Sequence, residues 1–201
     1  VNGFLGQTKV QSALSVLDVE NKTILFKALP TLDFPLQNVE KNWLYQEHNN
    51  QLLLFYSVNP YKVLTLSDEK NFSFKTIINI NVDKLNNPGG FGTLVSFSTN
   101  PIDYDEAHWF IVIHQIHYKK TGRCYYHWCV LVDKNSLLPI KITSKPIFSG
   151  MGARGRLPGI RYISSAIKKE NEILFFAGEG DVYVTVTSKK LKEIDSLWVS
   201  I

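Results

Sequence analysis

Residues 51–67 and 172–188 repeat one another 121 positions apart. Each reads as a polar turn, an apolar strand, a kink and a second strand, with LLLFYSVNP at 52–60 standing against ILFFAGEGD at 173–181. Between them, AHWFIVIHQI at 107–116 supplies a third copy. Antiparallel units of roughly 40 to 60 residues, each unable to bury both faces alone, are what a β-propeller stacks. A β-sandwich also needs alternating strands, but no repeat of the whole pattern. The repeat therefore predicts an all-β chain and, within that class, a β-propeller of antiparallel four-stranded blades. With four units visible, the ring is expected to be incomplete as given.

The units follow the breakers. Residues 1–39 predict a first antiparallel pair, with 9–19 turning at 18–22 into 23–26, and 1–6 resembling the end of a strand. The second unit, 40–85, opens on Glu40, Lys41, Asn42 and Trp43 and bends at Asn59 and Pro60. NNPGGFG at 86–92 is the strongest breaker in the chain and starts the third unit, 86–148. There a hairpin is expected, 109–118 and 124–133 joined by KKTGR at 119–123. The fourth unit, 149–201, begins with the loop SGMGARGRLPG at 149–159. Only its tail, 189–198, carries a helical period, with Leu191, Ile194, Leu197 and Trp198 on one face.

Composition narrows the function. At 201 residues, 44% hydrophobic and 20% charged, the chain suits one folded domain, complete or a fragment of one. The 22 Lys and Arg against 18 Asp and Glu are scattered without a run of five of one sign, so no nucleic-acid footprint is read. Cys124 and Cys129, five apart in one strand, alternate to opposite faces and read as buried free thiols. The five histidines lack metal-site spacing, and no nucleophile elbow or phosphate loop occurs. No stretch is long and apolar enough for a membrane helix, and no signal pattern opens the chain. It begins at Val1, which reads as processing or as a piece of something longer. NKT at 21–23 and NFS at 71–73 match the glycosylation tripeptide and leave the compartment open.

In a propeller, polar residues at the ends of inner strands gather at one mouth. The candidates are Glu40, Lys41 and Asn42 from the second unit, His114 from the third, and Glu179 and Asp181 from the fourth. Each also has a plainer reading: Glu40 with Lys41 as a solvated loop edge, His114 as a hydrogen-bonded core histidine, Asp181 as the end of a tight turn. DYDE at 103–106 reads as a solvated loop. Aromatic rings beside polar groups, among them Trp43, Tyr45, Tyr56, Trp109, Tyr125, Tyr126 and Trp128, suit pyranose rings, which have apolar C–H faces and hydroxyl edges.

From Glu40 onward the chain resembles the five-bladed β-propeller glycosidases and glycoside phosphorylases of glycoside hydrolase family 130. The segments that carry the resemblance are EKNW at 40–43 with LLFYSVNP after it, GGFGT at 89–93, WFIVIH at 109–114, YYHWCVLVD at 125–133, SKPIF at 144–148 and ILFFAGEGD at 173–181. The resemblance implies inverting cleavage of β-mannosidic or related linkages, with an aspartate as general acid and, in the phosphorylases, inorganic phosphate as attacking co-substrate. By position Lys41 lies in the mouth, His114 ends the third-unit strand and Asp181 closes the last inner turn. No other cofactor and no metal is implied.

Three departures stand out. The AspProArg motif that holds the family's catalytic aspartate is absent, and its expected place is just before Val1. Gln115 follows the strand-end histidine where the family has glycine, and GGFGT replaces a proline-rich loop. The expected partner is a carbohydrate, together with an upstream domain of the same polypeptide. Two functions stand: a glycosidase or phosphorylase whose catalytic residue in this chain is unknown, or a non-catalytic glycan-binding or scaffolding propeller module.

Overall fold

The computed structural model describes residues 12–120, 122–157 and 159–201. The strand end expected at 1–6 lies outside these residues. The described chain is all-β but for two short helices, and it divides into two compact units, one holding the residues up to Tyr56 and 62–79, the other 57–61 and 80–201.

In the first unit, β1 (Leu14–Asp18) and β2 (Thr23–Ala28) form an antiparallel hairpin of their own, with an irregularity between Val16 and Leu17. Five further strands follow: β3 (Thr31–Leu32), β4 (Leu44–His48), β5 (Gln51–Ser57), β6 (Tyr61–Asp68) and β7 (Ser73–Ile80). They order as β3-β7-β6-β5-β4. The four longer ones are a meander, since strands joined by such short turns pair antiparallel. The two-residue β3 adds a parallel edge. Leu53, Leu54, Phe55 and Tyr56 are all buried, as a continuous apolar run covered on both faces requires. Trp43, Leu54, Tyr56, Leu64 and Phe74 make the core of this unit.

The second unit begins with α1 (Asp83–Asn86) and continues through β8 (Val95–Phe97), β9 (Ile102–Asp103), β10 (His108–Lys119), β11 (Gly122–Asp133), β12 (Pro139–Thr143) and β13 (Phe148–Ser149). Next come β14 (Arg161–Lys169), β15 (Glu172–Glu179), β16 (Tyr183–Lys190), α2 (Leu191–Asp195) and β17 (Trp198–Ser200). The long hairpin β10–β11 dominates, pairing twelve residues on each side from His108 opposite Asp133 to Lys119 opposite Gly122. Its sheet runs β17-β12-β11-β10-β8, with β9 and β13 as short additions. A separate sheet runs β14-β15-β16. Phe110, Val112, Cys129, Phe148, Ile163 and Phe175 lie in the core that joins these strands.

The repeated segments 51–67 and 172–188 fold as the hairpins β5–β6 and β15–β16, which start and turn in equivalent places. The expectation of four strands per blade meets sheets of five, seven and three strands among those holding the repeats. Two of them contain a four-stranded meander, β4 to β7 and β8-β10-β11-β12, and the extra members are short edges. The helix expected over 189–198 covers only Leu191–Asp195, because Trp198 leaves it to pair with Thr143 across β17 and β12. Cys124 and Cys129 are free and buried, and burial pushes the Cys129 thiol well up.

Candidate functional site

Each unit carries a polar cluster on its buried strands: Glu40 precedes β4 and Glu179 ends β15, but His114, expected at a strand end, stands in the middle of β10 because the strand runs on to Lys119. In the first, the segment before β4 crosses from loop to core at Glu40. Asn42 takes a left-handed backbone angle of φ 62°, which asparagine tolerates, and the turn sends Trp43 inward while Lys41 stays exposed. Glu40 is 5% exposed, and its Oε1 accepts hydrogen bonds from the Tyr56 hydroxyl at 2.8 Å and the Gln37 backbone N–H at 2.6 Å. Trp43 and Phe34 approach the Tyr56 ring with centroids at 5.5 and 5.0 Å. The Lys62 ammonium stands 3.8 Å from the Phe34 centroid. Burial, then the Glu40 bond and charge, pushes the Tyr56 hydroxyl upward, so Tyr56 is a fixed donor. Glu40 is thus a buried, doubly bonded carboxylate rather than a solvated loop edge.

In the second unit, β10 and β11 bring His114 directly opposite His127. His114 is buried, and its Nδ1 shares a 2.8 Å hydrogen bond with Ser98 Oγ. The Tyr162 ring meets it edge-on at 5.2 Å and Tyr125 lies at 5.5 Å. Tyr162 also bonds to Ser98, and burial followed by the neighbouring Tyr125 raises its hydroxyl. His127 is fully buried, and its Nε2 accepts the Ile163 N–H at 3.3 Å, which puts the neutral ring's proton on Nδ1. Burial, then the nearby His114 and Arg161, holds it well below the ordinary 6.5, so it stays neutral.

β15 positions the next group. Its buried face alternates Ile173, Phe175, Ala177 and Glu179, so a period of two places a carboxylate at the end of an apolar row. Across the ladder from Glu179 stands Arg161, whose Nη2 donates to Glu179 Oε1 at 3.1 Å. The same oxygen accepts the Arg154 N–H at 2.8 Å. That backbone bond first, then Arg161, draws the Glu179 carboxyl below its usual value against the opposing cost of burial. Gly180 and Asp181, at φ 60° and 59°, form the tight turn into β16, closed by Val182 N–H to Glu179 O at 3.1 Å. A Cβ on Gly180 would lie 2.1 Å from the Arg154 carbonyl oxygen, so the 150–160 loop rests directly on this turn. Asp181 and the Arg154 and Arg156 side chains are exposed beside it.

Sequence reasoning thus named residues in both clusters but missed Ser98, His127, Tyr162 and Arg161. His127 was available, since counting outward from the turn at 119–122 sets it opposite His114. The structure gathers His114 with Tyr125, Tyr162 and His127, gathers Glu179 with Arg154 and Arg161, and sets Asp181 in the adjoining turn. Glu40, Lys41 and Asn42 belong to the first unit. Among the described residues no group of three or more His, Cys, Asp or Glu could hold a metal ion, and no helix is long and apolar enough to cross a membrane.

A family model described as beta-1,4-mannooligosaccharide phosphorylase, of glycoside hydrolase family 130, matches residues 5–198. None of the curated proteins matches the chain. Among solved structures, the beta-1,2-mannobiose phosphorylase from Listeria innocua, in complex with beta-1,2-mannobiose, aligns with a TM-score of 0.55 at 20% identity, covering 79% of this chain and 46% of that one. A glycosyl hydrolase from Bacteroides ovatus aligns with a TM-score of 0.52 at 15% identity, covering 75% and 48%. The chain therefore spans about half the length of these structures. Matched over nearly its whole length by the family model, the chain belongs to glycoside hydrolase family 130.

Proposed function

We propose that this chain is the carbohydrate-binding part of a five-bladed propeller that acts on β-mannosides. The observation that carries the reading is the family match over 5–198, in a chain whose second unit sets buried imidazoles among tyrosine rings and a buried carboxylate at the end of β15. Inverting cleavage needs a carboxylic acid to protonate the leaving oxygen and a nucleophile on the opposite face of the sugar. In phosphorolysis, phosphate attacks the anomeric carbon, the glycosidic C–O bond breaks, and the acid's proton goes to the departing sugar. Lys41 is the group assigned to phosphate, as an exposed ammonium beside the buried Glu40. His114 and Asp181 are assigned to sugar hydroxyls, with Asn42 beside Lys41. The AspProArg aspartate is not among these 201 residues, so the acid is assigned to a segment preceding them in the polypeptide.

The test is incubation of the protein with β-1,2- and β-1,4-linked mannobiose, with and without inorganic phosphate, alongside calorimetric titration of the same sugars. Phosphate-dependent release of α-mannose 1-phosphate is the expected outcome for the polypeptide that includes the acid, and mannoside binding is expected for this chain. Binding without turnover in the longer polypeptide would assign the site to glycan recognition. Absence of both binding and turnover across a panel of β-mannosides overturns the proposal.

A further inference from the structure

The two departures from the family pattern in the third unit, Gln115 and the GGFGT loop, are physically one device. Gln115 is fully buried on β10. Its Oε1 accepts the Gly89 N–H at 2.9 Å, and its Nε2 donates to Asn87 Oδ1 at 2.7 Å and to the Thr93 carbonyl at 3.1 Å. One side chain therefore ties down the loop at its beginning, middle and end. Asn87 Oδ1 also accepts the Gly92 N–H at 3.1 Å, closing the loop on itself. A glycine in place of Gln115 could make none of the three side-chain bonds.

What the pinned loop presents is Phe91. Its ring stacks on His117 at 4.4 Å with an interplanar angle of 15°, and lies 4.8 Å from the Tyr126 ring. Tyr126 and Phe91 both back onto Trp128 at 6.4 Å, which is buried, whereas Phe91, His117 and Tyr126 are only half-buried. A Cβ on Gly89 would fall 2.6 Å from Phe91 and 2.8 Å from Trp128, so the absence of a side chain there lets the ring lie down. The Lys119 ammonium stands 5.9 Å from the Tyr126 centroid. Asn87 and Pro88 also line a cleft of about 230 Å³, shared with Lys84, Thr143 and Ser144. Three rings, Phe91 held by the buried polar clamp and His117 and Tyr126 by the β10–β11 ladder, beside a cleft edged with amide, hydroxyl and ammonium groups match one ligand chemistry. That ligand has a flat C–H face and a hydroxyl rim.

We propose that Phe91, His117 and Tyr126 form a stacking subsite for a pyranose unit of an oligosaccharide, with Gln115 as its positioning residue and the Asn87-lined cleft receiving the sugar's hydroxyls. The subsite lies on the face of the β10–β11 hairpin opposite His114, so it engages a unit other than the one beside His114. It rests on the carbohydrate reading given above. Stacking of this kind raises affinity with chain length and leaves the disaccharide untouched.

The test titrates the chain with β-1,4-linked mannose oligomers from two to six units and follows heat and tryptophan emission. Wild type gains affinity as the oligomer grows, and Phe91→Ala loses on the order of tenfold for the longer sugars with mannobiose unchanged. Phe91→Trp keeps the gain. Gln115→Ala loses it in part. Phe91→Leu, which keeps apolar bulk without a ring, guards against misfolding and is expected to melt like wild type while losing the gain. Equal length profiles in wild type, Phe91→Ala and Phe91→Leu overturn the subsite. Binding of mannobiose with no gain on lengthening overturns the subsite alone, whereas no binding of any β-mannoside by wild type overturns the carbohydrate reading with it.

Discussion

On one face of the β10–β11 hairpin, His114 and His127 stand opposite each other in buried surroundings, bonded to Ser98 and to the Ile163 backbone. On the other face, one residue along each strand, Gln115 stands opposite Tyr126, and both serve a loop and a half-exposed stack of rings. The backbone ladder is common to both, so the pleat alone separates them. A one-residue slip of register would exchange the faces entirely. The difference teaches what each buried polar side chain holds: His127 accepts from β14 and His114 shares a bond with Ser98 just past β8, whereas Gln115 gives all three of its bonds to the 87–93 loop.

The largest expected effect comes from the buried face. His127→Ala removes a fully buried ring and leaves the Ile163 N–H without its acceptor, which should cost about 3 kcal/mol in denaturant unfolding. A loss below about 1 kcal/mol would break the contrast between the faces. The sign of the pH dependence follows from the same residue. Its folded value is depressed, so the unfolded chain takes up the proton first. Stability is full above about 6.5 and declines as pH falls below that, by up to about 1.4 kcal/mol per unit until the folded ring titrates. His127→Ala should remove this slope.

Gln115→Ala is the matching change on the open face. It should cost about 2 kcal/mol or less, because the freed loop groups can reach water. Hydrogen exchange sharpens the comparison: the Gly89 amide, which loses its acceptor, should exchange much faster while the β10–β11 ladder stays protected. If the ladder loosens too, the faces are not independent.

Smallest is Glu179→Gln, which keeps an acceptor for the Arg154 N–H and removes the charge facing Arg161. About 1 kcal/mol is expected. In wild type that contribution is present above about 4.5 and is lost as pH falls through the depressed folded value, a loss the variant should not show in acid titrations of stability.

Much of this was legible in the residues. The repeat at 121-residue spacing located β5–β6 and β15–β16, because turn, strand and kink are local features. The pairing of β17 with β12 was not, since nothing near Trp198 signals a partner at Thr143. The hairpin expected over 109–118 and 124–133, with its turn at 119–123, folds as β10–β11, and pairing extends the strands by one or two residues at their ends. At Glu40 the sequence showed a charged pair and the structure a buried acceptor, because the deciding residue, Tyr56, lies sixteen positions away. Gln115 was visible only as a departure, and its meaning required seeing Asn87, Gly89 and Thr93 around it.

Gly89 and Gly180 both seat loops by lacking a side chain, yet what they rest against differs. Gly89 faces the ends of Phe91, Gln115 and Trp128, whereas Gly180 faces the Arg154 carbonyl. Side chains can be exchanged for smaller ones, so a lineage can remodel the 86–93 loop through paired substitutions, each step still folded. Main chain cannot be made smaller. The 150–160 loop is therefore open to change only by inserting, deleting or replacing it whole, and sequence drift in this protein should run through the Phe91 loop while the turn at Gly180 stands still.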